Sequence, residues 1–206
     1  EQLPCVFDVS ARTVATQSLN IFGDHSDVYA CRQTGFAMLC ETNPQEVMDL
    51  SPVAHLATIE GKVPFINFFD GFRTSHEIQK IEKWDYADLK EMCNMDAVEA
   101  FRAHALNPEH PAMRGSHENG DVFFQHREAC NTAYNELPAI VEKYMAKINE
   151  KLGTNYDLFN YYGAEDADRV IVAMGSVNDV AEEVIDYLTA KGEKVGLIKV
   201  RLYRPW

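Results

Sequence analysis

An arginine lies just beyond the first predicted strand of the chain. The β-rich run Cys5–Val9 ends three residues before Arg12. In α/β sheets, ligands bind beyond the carboxyl ends of the strands, and the planar guanidinium group of arginine matches a carboxylate with two parallel hydrogen bonds. Arg12 is therefore a candidate carboxylate clamp. The alternative is a surface ion pair with Asp24 or Asp27, and the residues alone favour this alternative.

Three other polar segments have residue types that suit catalysis or anion binding. His25, which acidic residues flank, is either a general base oriented by a carboxylate or, more commonly, a histidine satisfied within a turn. His76-Glu77 lacks the second histidine of a zinc-protease helix and fails as a metal motif. Gly175-Ser176 is either a phosphate-binding turn or an ordinary connection from a strand to a helix. The ordinary connection is favoured, because the glycine pattern of dinucleotide sites and the lysine of P-loops are absent.

The residue types that bind zinc or iron–sulfur clusters are scattered. No Cys-x-x-Cys pair occurs, and the histidines have irregular spacing, so no metal site is predicted. Reduced and mostly buried thiols are expected instead. The residues concerned are Cys5, Cys31, Cys40, Cys93, Cys130, His104, His110, His117 and His126.

The last forty residues predict a strand–helix–strand unit. Val170–Met174 is expected to form a short buried strand. Ser176 is the expected N-cap of a helix, because apolar residues repeat at helical spacing from Val177 to Leu188. Val195–Tyr203 is the next predicted strand, and a parallel pair with a right-handed crossover is expected.

The part upstream also alternates strands and helices, which predicts an α/β fold. No sustained period is found in residues 107–131, and the polar stretch Thr154–Asp168 is the candidate domain junction, with the division placed between residues 156 and 157. The predicted elements are a helix from Asn43-Pro44 to Ile59, a strand at Val63–Phe69, short helices at Asp85–Cys93 and Asp96–Leu106, each opened by its aspartate, and a helix at Glu136–Leu152 closed by Gly153.

Composition excludes several classes of protein. The 206 residues, 46% hydrophobic, suffice for one large domain or two small ones. A net charge of −13 disfavours nucleic acid and anionic membrane surfaces as partners. The longest apolar runs are far shorter than the roughly 18 residues of a spanning helix, and the first residues do not form a signal peptide, so a cytoplasmic location is expected. Both ends are expected to be cut from a longer polypeptide.

Six segments together carry a more specific pattern than any single motif. They are Leu3–Arg12, Ile21–Val28, Arg32–Ala37, Phe68–Glu77, Asn107–Pro111 and Val200–Pro205. In these segments the chain resembles the pyruvate:ferredoxin (flavodoxin) oxidoreductases. The resemblance extends over essentially the whole chain, but over only a minor, internal part of that large enzyme.

The resemblance implies a fold and a function. Residues 1–156 would be the C-terminal part of a pyrimidine-type thiamine-diphosphate-binding domain, and residues 157–206 the first strand–helix–strand unit of a domain similar to the C-terminal domain of transketolase. The parent enzyme would oxidatively decarboxylate pyruvate on thiamine diphosphate. Coenzyme A would take the acetyl group, and iron–sulfur clusters would pass the electrons to ferredoxin or flavodoxin. The parent would be a cytoplasmic homodimer of anaerobic metabolism.

The resemblance also assigns a role to Arg12. This residue matches the family arginine that holds the carboxylate of pyruvate, which reverses the preference for a surface ion pair. The family segments that complete the cofactor site, the domain that binds the diphosphate and Mg²⁺, and the cluster cysteines do not match any part of this chain. The fragment alone is therefore expected to bind cofactor weakly or not at all and to be inactive. No catalytic role is transferred to His25, Asp27, Arg32, Arg73 or His76.

Two alternatives remain open. One is an oxidoreductase for another 2-oxo acid. The other is a stand-alone, non-catalytic binding or scaffold module that has kept the fold.

Overall fold

The computed structural model describes residues 2–113 and 117–206, and within them helices pack on two β-sheets. The strands are β1 (Val6–Ala11), β2 (Ala37–Glu41), β3 (Phe65–Asp70), β4 (Phe159–Gly163), β5 (Arg169–Ala173), β6 (Val195–Val200) and β7 (Leu202–Arg204). The helices are α1 (Ser26–Cys31), α2 (Pro44–Gly61), α3 (Tyr86–Met92), α4 (Met95–Ala103), α5 (Phe123–Ala129), α6 (Asn131–Leu152) and α7 (Val177–Thr189). The predicted α/β class is confirmed.

The main sheet has the strand order β1-β3-β2-β7. Strands β1, β3 and β2 are parallel, and β7 runs antiparallel to β2. Ala11 of β1 lies opposite Asp70 of β3, so the residues that follow these two strands meet at one edge of the sheet. This edge is where ligands bind in parallel α/β sheets.

Helix α2 covers the main sheet and begins as its sequence predicts. The Asn43 side chain accepts a hydrogen bond from the Glu46 backbone N–H at 3.0 Å, and the Glu46 carboxylate accepts one from the Thr42 N–H at 2.9 Å. The first bond satisfies an N–H group that the first turn of a helix leaves free, and the second ties the residue before the N-cap to that turn. Pro44 at the first helical position removes a further unsatisfied donor.

Helix α6 packs on α2 and completes the larger core. Its buried residues are Leu137, Val141, Tyr144, Met145 and Ile148, and they repeat at helical spacing as predicted. The helix starts at Asn131, five residues before the predicted start at Glu136. Gly153 ends it with φ of +70°, as predicted.

Two short helices differ from the predictions. Helix α4 begins at Met95, because the Asn94 side chain accepts from the Ala97 N–H at 3.1 Å. Asp96, the predicted cap, lies in the first turn. Helix α5 forms within residues 107–131, where no element was predicted; residues 114–116 of that segment lie outside the described part of the chain.

The three-stranded sheet and α7 form what we call the small unit. Strands β5 and β6 are parallel and joined through α7, as predicted. Strand β4 is antiparallel to β6 and was not predicted, because it lies inside the polar stretch interpreted as a junction. The prediction of a buried strand is wrong for β5, since Val170, Ile171 and Val172 are 44%, 59% and 64% exposed.

The single strand predicted over Val195–Tyr203 is two strands in two sheets. The chain leaves β6 at Arg201, which is buried, and β7 then joins β2 of the main sheet. The Arg201 guanidinium binds the Glu46 carboxylate at 2.7 Å and lies 5.1 Å from the Tyr156 ring centroid. A buried ion pair thus holds the small unit against α2.

No helix within the described residues combines the length and the apolar character that crossing a bilayer requires.

Candidate functional site

Arg12 follows β1 and lies over Gly71, the residue that follows β3. The Gly71 N–H donates to the Ala11 carbonyl at 2.8 Å, which brings the two segments together. A Cβ atom on Gly71 would lie 2.4 Å from Arg12 Cγ and 2.7 Å from Arg12 Nε. Only a residue without a side chain fits here, so the Gly71 backbone supports the arginine side chain directly.

The Arg12 guanidinium forms no ion pair with the described residues, so the surface pairing with Asp24 or Asp27 is not formed. Asp27 accepts a hydrogen bond from the Arg12 backbone N–H at 2.9 Å, and Asp24 accepts one from the Ser26 N–H at 2.6 Å. Both carboxylates therefore accept hydrogen bonds from backbone N–H groups and not from the Arg12 guanidinium. Arg12 Nε is buried without a hydrogen-bond partner in the described part of the chain. A carboxylate ligand would satisfy this donor.

His25 is oriented by a carboxylate, but not by the acids beside it in sequence. Its Nε2 lies 2.5 Å from Asp70 Oδ1, and its ring packs edge-on against Phe68 with centroids 5.5 Å apart. The side chains of His25 and Asp70 are only 16% and 14% exposed. The histidine is therefore satisfied by a residue that lies 45 positions later.

Asp70 also binds the small unit. Its Oδ2 accepts hydrogen bonds from the Ser176 backbone N–H at 2.9 Å and from Ser176 Oγ at 2.5 Å. Burial acts to raise the pKa of Asp70, but the hydrogen bonds from His25 and Ser176 outweigh it and hold the pKa below its usual value. Asp70 is thus a charged group that joins the main sheet, the loop before α1 and the start of α7.

The turn Gly175-Ser176 connects β5 to α7, which confirms the ordinary strand-to-helix connection. Gly175 has φ of +83°, and a Cβ atom there would lie 2.7 Å from Asp70 Oδ1. The anion at this turn is the Asp70 carboxylate, so the donors that would suit a phosphate are used within the protein. Reasoning from the sequence missed Asp70. The Asp-Gly pair directly after a predicted strand was the available signal.

Apolar side chains are exposed in the two segments that flank Arg12. They are Val14, Leu19, Ile21, Phe22 and Phe72. Phe22 and Phe72 pack edge to face with centroids 4.8 Å apart. Exposed apolar surface of this kind, next to an unpaired cation, is typical of a ligand or protein interface.

The other chemically active residue types do not converge on Arg12. His76 Nδ1 lies 2.9 Å from Ser75 Oγ on the surface. All five cysteines are free, and only Cys40 is buried, which corrects the expectation of mostly buried thiols. Among the described residues, no group of three or more His, Cys, Asp or Glu side chains is arranged to hold a metal ion.

A separate cleft of about 1070 Å³ lies between α2 and residues 74–86. Its lining is mainly apolar and includes Met48 and Trp84. Arg12 and Asp70 do not line it, so the cleft is distinct from the site described above.

Comparison with known proteins identifies the family. Residues 1–146 match the family model described as pyruvate flavodoxin/ferredoxin oxidoreductase, thiamine diphosphate-binding. The chain belongs to the pyruvate flavodoxin/ferredoxin oxidoreductase family. Residues 167–206 match a second model of these oxidoreductases, pyruvate:ferredoxin oxidoreductase core domain II. The family predicted from the six sequence segments is confirmed.

Curated oxidoreductases of this family are similar to the whole chain. A pyruvate-flavodoxin oxidoreductase of Enterobacter agglomerans is 61% identical over 206 residues, which are 100% of this chain and 18% of that protein. A pyruvate:ferredoxin oxidoreductase of Moorella thermoacetica is 58% identical over 206 residues, again 100% of the chain and 18% of the relative. The chain therefore spans 18% of the length of these oxidoreductases.

A solved structure shares the fold. The 2-oxoglutarate:ferredoxin oxidoreductase of Magnetococcus marinus, with 2-oxoglutarate, coenzyme A and succinyl-CoA bound, matches with a TM-score of 0.61. The match covers 100% of this chain and 38% of that chain, at 17% identity. At this identity the likeness shows the fold alone.

Proposed function

We propose that this chain is an internal segment of a pyruvate:ferredoxin or pyruvate:flavodoxin oxidoreductase, in which Arg12 binds the carboxylate of pyruvate. The observation that carries the proposal is the buried, unpartnered Nε of Arg12 at the carboxyl edge of the main sheet. The parent enzyme converts pyruvate and coenzyme A into acetyl-CoA, CO₂ and a proton, and the two electrons released pass to ferredoxin or flavodoxin. The similarity to oxidoreductases with these names supports the reaction.

Arg12 contributes by orientation and by charge. A fixed guanidinium holds the 2-oxo acid so that its carbonyl carbon faces the attacking group. The attraction ends when the carboxylate leaves as neutral CO₂, so the arginine does not retain the product. The Gly71 backbone under the side chain supports this orientation.

Thiamine diphosphate, when bound, supplies the carbon nucleophile and the electron sink for the decarboxylation. The exposed apolar side chains that flank Arg12 suit the wall of such a site. We place the ligands of the diphosphate and Mg²⁺, and those of the iron–sulfur clusters, in other parts of the parent, and we propose that the 206-residue chain alone is inactive. The family's description as thiamine diphosphate-binding supports the cofactor.

The parent is proposed to be a cytoplasmic homodimer. Five free cysteines suit a reducing compartment. Relatives named for flavodoxin and for ferredoxin have similar identity to this chain, so we place the choice of electron acceptor elsewhere in the parent. We also propose the division into a thiamine-diphosphate-binding part, residues 1–156, and the start of a second domain, residues 157–206.

The test is the substitution Arg12→Ala in the full-length protein, measured by steady-state kinetics. Loss of a charge-assisted contact is expected to lower kcat/KM for pyruvate about a hundredfold, while KM for coenzyme A stays unchanged. Arg12→Lys, which keeps the charge without the planar fork, is expected to recover part of the loss. Arg102→Ala, on the exposed face of α4, is the matched control.

Unchanged pyruvate kinetics in Arg12→Ala would refute the carboxylate-clamp role. A panel of 2-oxo acids, assayed with the unsubstituted protein, tests the substrate. A higher kcat/KM for another 2-oxo acid would favour the alternative oxidoreductase.

A further inference from the structure

The position of Arg12 depends on the corner formed by Asp70 and Gly71. The arginine side chain rests on the Gly71 backbone, and the Arg12 main chain pairs with Gly23 in an isolated antiparallel bridge. A Cβ atom on Gly23 would lie 3.1 Å from the Gly71 carbonyl oxygen and 3.2 Å from Asp70 Cβ. Gly71, which supports the Arg12 side chain, is part of this corner, and Gly23, which pairs with the Arg12 main chain, packs against it.

The corner is held from outside the main sheet. Asp70 Oδ2 is bound by the Ser176 N–H and Oγ, and Asp70 Oδ1 by His25 Nε2. Gly175 brings the start of α7 so close that a Cβ atom there would lie within 2.7 Å of the Asp70 carboxylate. The small unit thus contacts Asp70, the residue next to Gly71.

We propose that Asp70 is a positioning residue for Arg12, which couples the docking of the small unit through Ser176 to the binding of the substrate carboxylate. This inference rests on the proposed function. Asp70 does not contact the substrate; it fixes the corner on which the arginine rests. A correctly docked small unit then favours a correctly placed guanidinium.

A second contact, between the small unit and the start of α2, offers a matched control. Asn43 Nδ2 donates to Asp179 of α7 at 3.2–3.3 Å, at the start of α2. This hydrogen bond also joins the small unit to α2, but it involves neither Asp70 nor Gly71. If docking alone mattered, its loss and the loss of the Asp70 contacts would affect the kinetics equally.

The experiment uses the full-length protein with Asp70→Asn, Ser176→Ala, Ser176→Thr and Asp179→Ala, the last of which removes the acceptor of the Asn43 hydrogen bond. Asp70→Asn is expected to raise KM for pyruvate about tenfold and Ser176→Ala about threefold, with KM for coenzyme A within twofold. Ser176→Thr, which keeps the hydroxyl donor, is expected to retain the original KM. Asp179→Ala is expected to leave the kinetics unchanged.

A double-mutant cycle separates positioning from a merely structural role. In an Arg12→Ala background, Asp70→Asn is expected to cause no further loss of kcat/KM for pyruvate, because the residue it positions is gone. An additive loss, or an unchanged KM in Asp70→Asn, would overturn the inference. If Asp70→Asn does not fold, Ser176→Ala becomes the test, and an unchanged KM for pyruvate in that variant overturns the inference. If Arg12→Ala alone leaves pyruvate kinetics unchanged, the proposed function fails first, and this inference fails with it.

Discussion

At the scale of single residues, the surroundings of a carboxyl group decide its charge. Glu41 at the end of β2 is fully buried, and neither carboxyl oxygen has a hydrogen-bond partner in the described part of the chain. Burial, reinforced by the nearby acids Glu46 and Asp8, raises the pKa of Glu41 well above its usual value. Glu41 is therefore a neutral carboxylic acid at moderately acidic pH.

Glu60 is the opposite case. Its carboxylate accepts hydrogen bonds from Lys143, Tyr144 and Asn94 at 2.6–3.0 Å. Burial acts to raise the pKa of Glu60, but these hydrogen bonds outweigh it and lower the pKa to about 2. Glu60 therefore remains charged in the folded protein down to low pH.

The substitution Glu41→Gln tests the first of these assignments. Because the pKa of Glu41 is raised on folding, the folded state holds a proton that the unfolded state releases above about pH 4.5, and stability falls as the pH rises beyond that value. Glutamine does not titrate. Glu41→Gln is therefore expected to match the original chain below about pH 4.5 and to be more stable by roughly 1–3 kcal/mol at pH 7, as measured by urea unfolding across the pH range. If Glu41→Gln and the original chain were equally stable at both pH values, the assignment would be contradicted.

Glu60→Gln is expected to show the opposite sign in the same measurement. The pKa of Glu60 is lowered on folding to about 2, so its contribution is present above about pH 4.5 and is lost as the pH falls toward 2. The variant is expected to be less stable by about 1–2 kcal/mol at pH 7, since the group is partly exposed to solvent, with the difference disappearing at low pH. A loss that does not depend on pH would show that packing, rather than charge, is responsible.

At the scale of elements, α2 and α6 end with the same backbone geometry but with different residues. Gly153 follows α6 with φ of +70°, and Lys62 follows α2 with φ of +55°. The left-handed conformation costs glycine nothing, whereas a residue with a Cβ atom is strained there. The backbone at the C-terminal end of α2 is therefore strained, whereas the backbone at the end of α6 is not.

Lys62→Gly is expected to stabilise the chain by about 1 kcal/mol, because it removes the strain and keeps the hydrogen bond from the residue 62 N–H to the Thr58 carbonyl. Lys62 is exposed, so little side-chain packing is lost. The measurement is the midpoint of urea unfolding. Lys62→Ala, which shortens the side chain without relieving φ, is the control and is expected to change little. A destabilised Lys62→Gly variant would contradict the argument.

At the scale of the whole molecule, the small unit is apolar on surfaces that this chain leaves uncovered. Val170, Ile171 and Val172 of β5, and Val180 and Val184 of α7, are all more than 40% exposed. Exposed apolar surface of this extent is typical of an interface. This observation agrees with a chain that spans 18% of its relatives.

The mass of the native polypeptide tests the proposed parent. An antibody raised against this chain is expected to detect, in the source cells, a band several times larger than 23.3 kDa. A band at 23.3 kDa would instead favour a stand-alone binding or scaffold module. Pre-absorption of the antibody with the purified chain is the control for specificity.

Local patterns in the sequence determined much of the fold. The capping residues at Asn43–Glu46, the helical repeat in α6 and the strand before Arg12 were predicted, because each depends on neighbours within one or two turns of the chain. The family followed from short motifs of this kind. The division of the C-terminal strand at Arg201 was not predicted, because residues 195–203 contain no turn signal and the two halves differ only in the sheet that each one joins.

The candidate site likewise has features that were predicted from the sequence and features that were not. The local pattern was enough to predict an arginine after β1, and the family resemblance supplied the ligand to expect. Two contacts became visible only in the folded chain: Asp27 binds the Arg12 main chain, and Asp70 joins His25 to Ser176. The Asp70 and Ser176 side chains are 106 positions apart in the chain, and a local periodicity carries no information about contacts over that distance. Such contacts depend on how the sheets and helices pack, and that packing sets the charge, burial and position of each group.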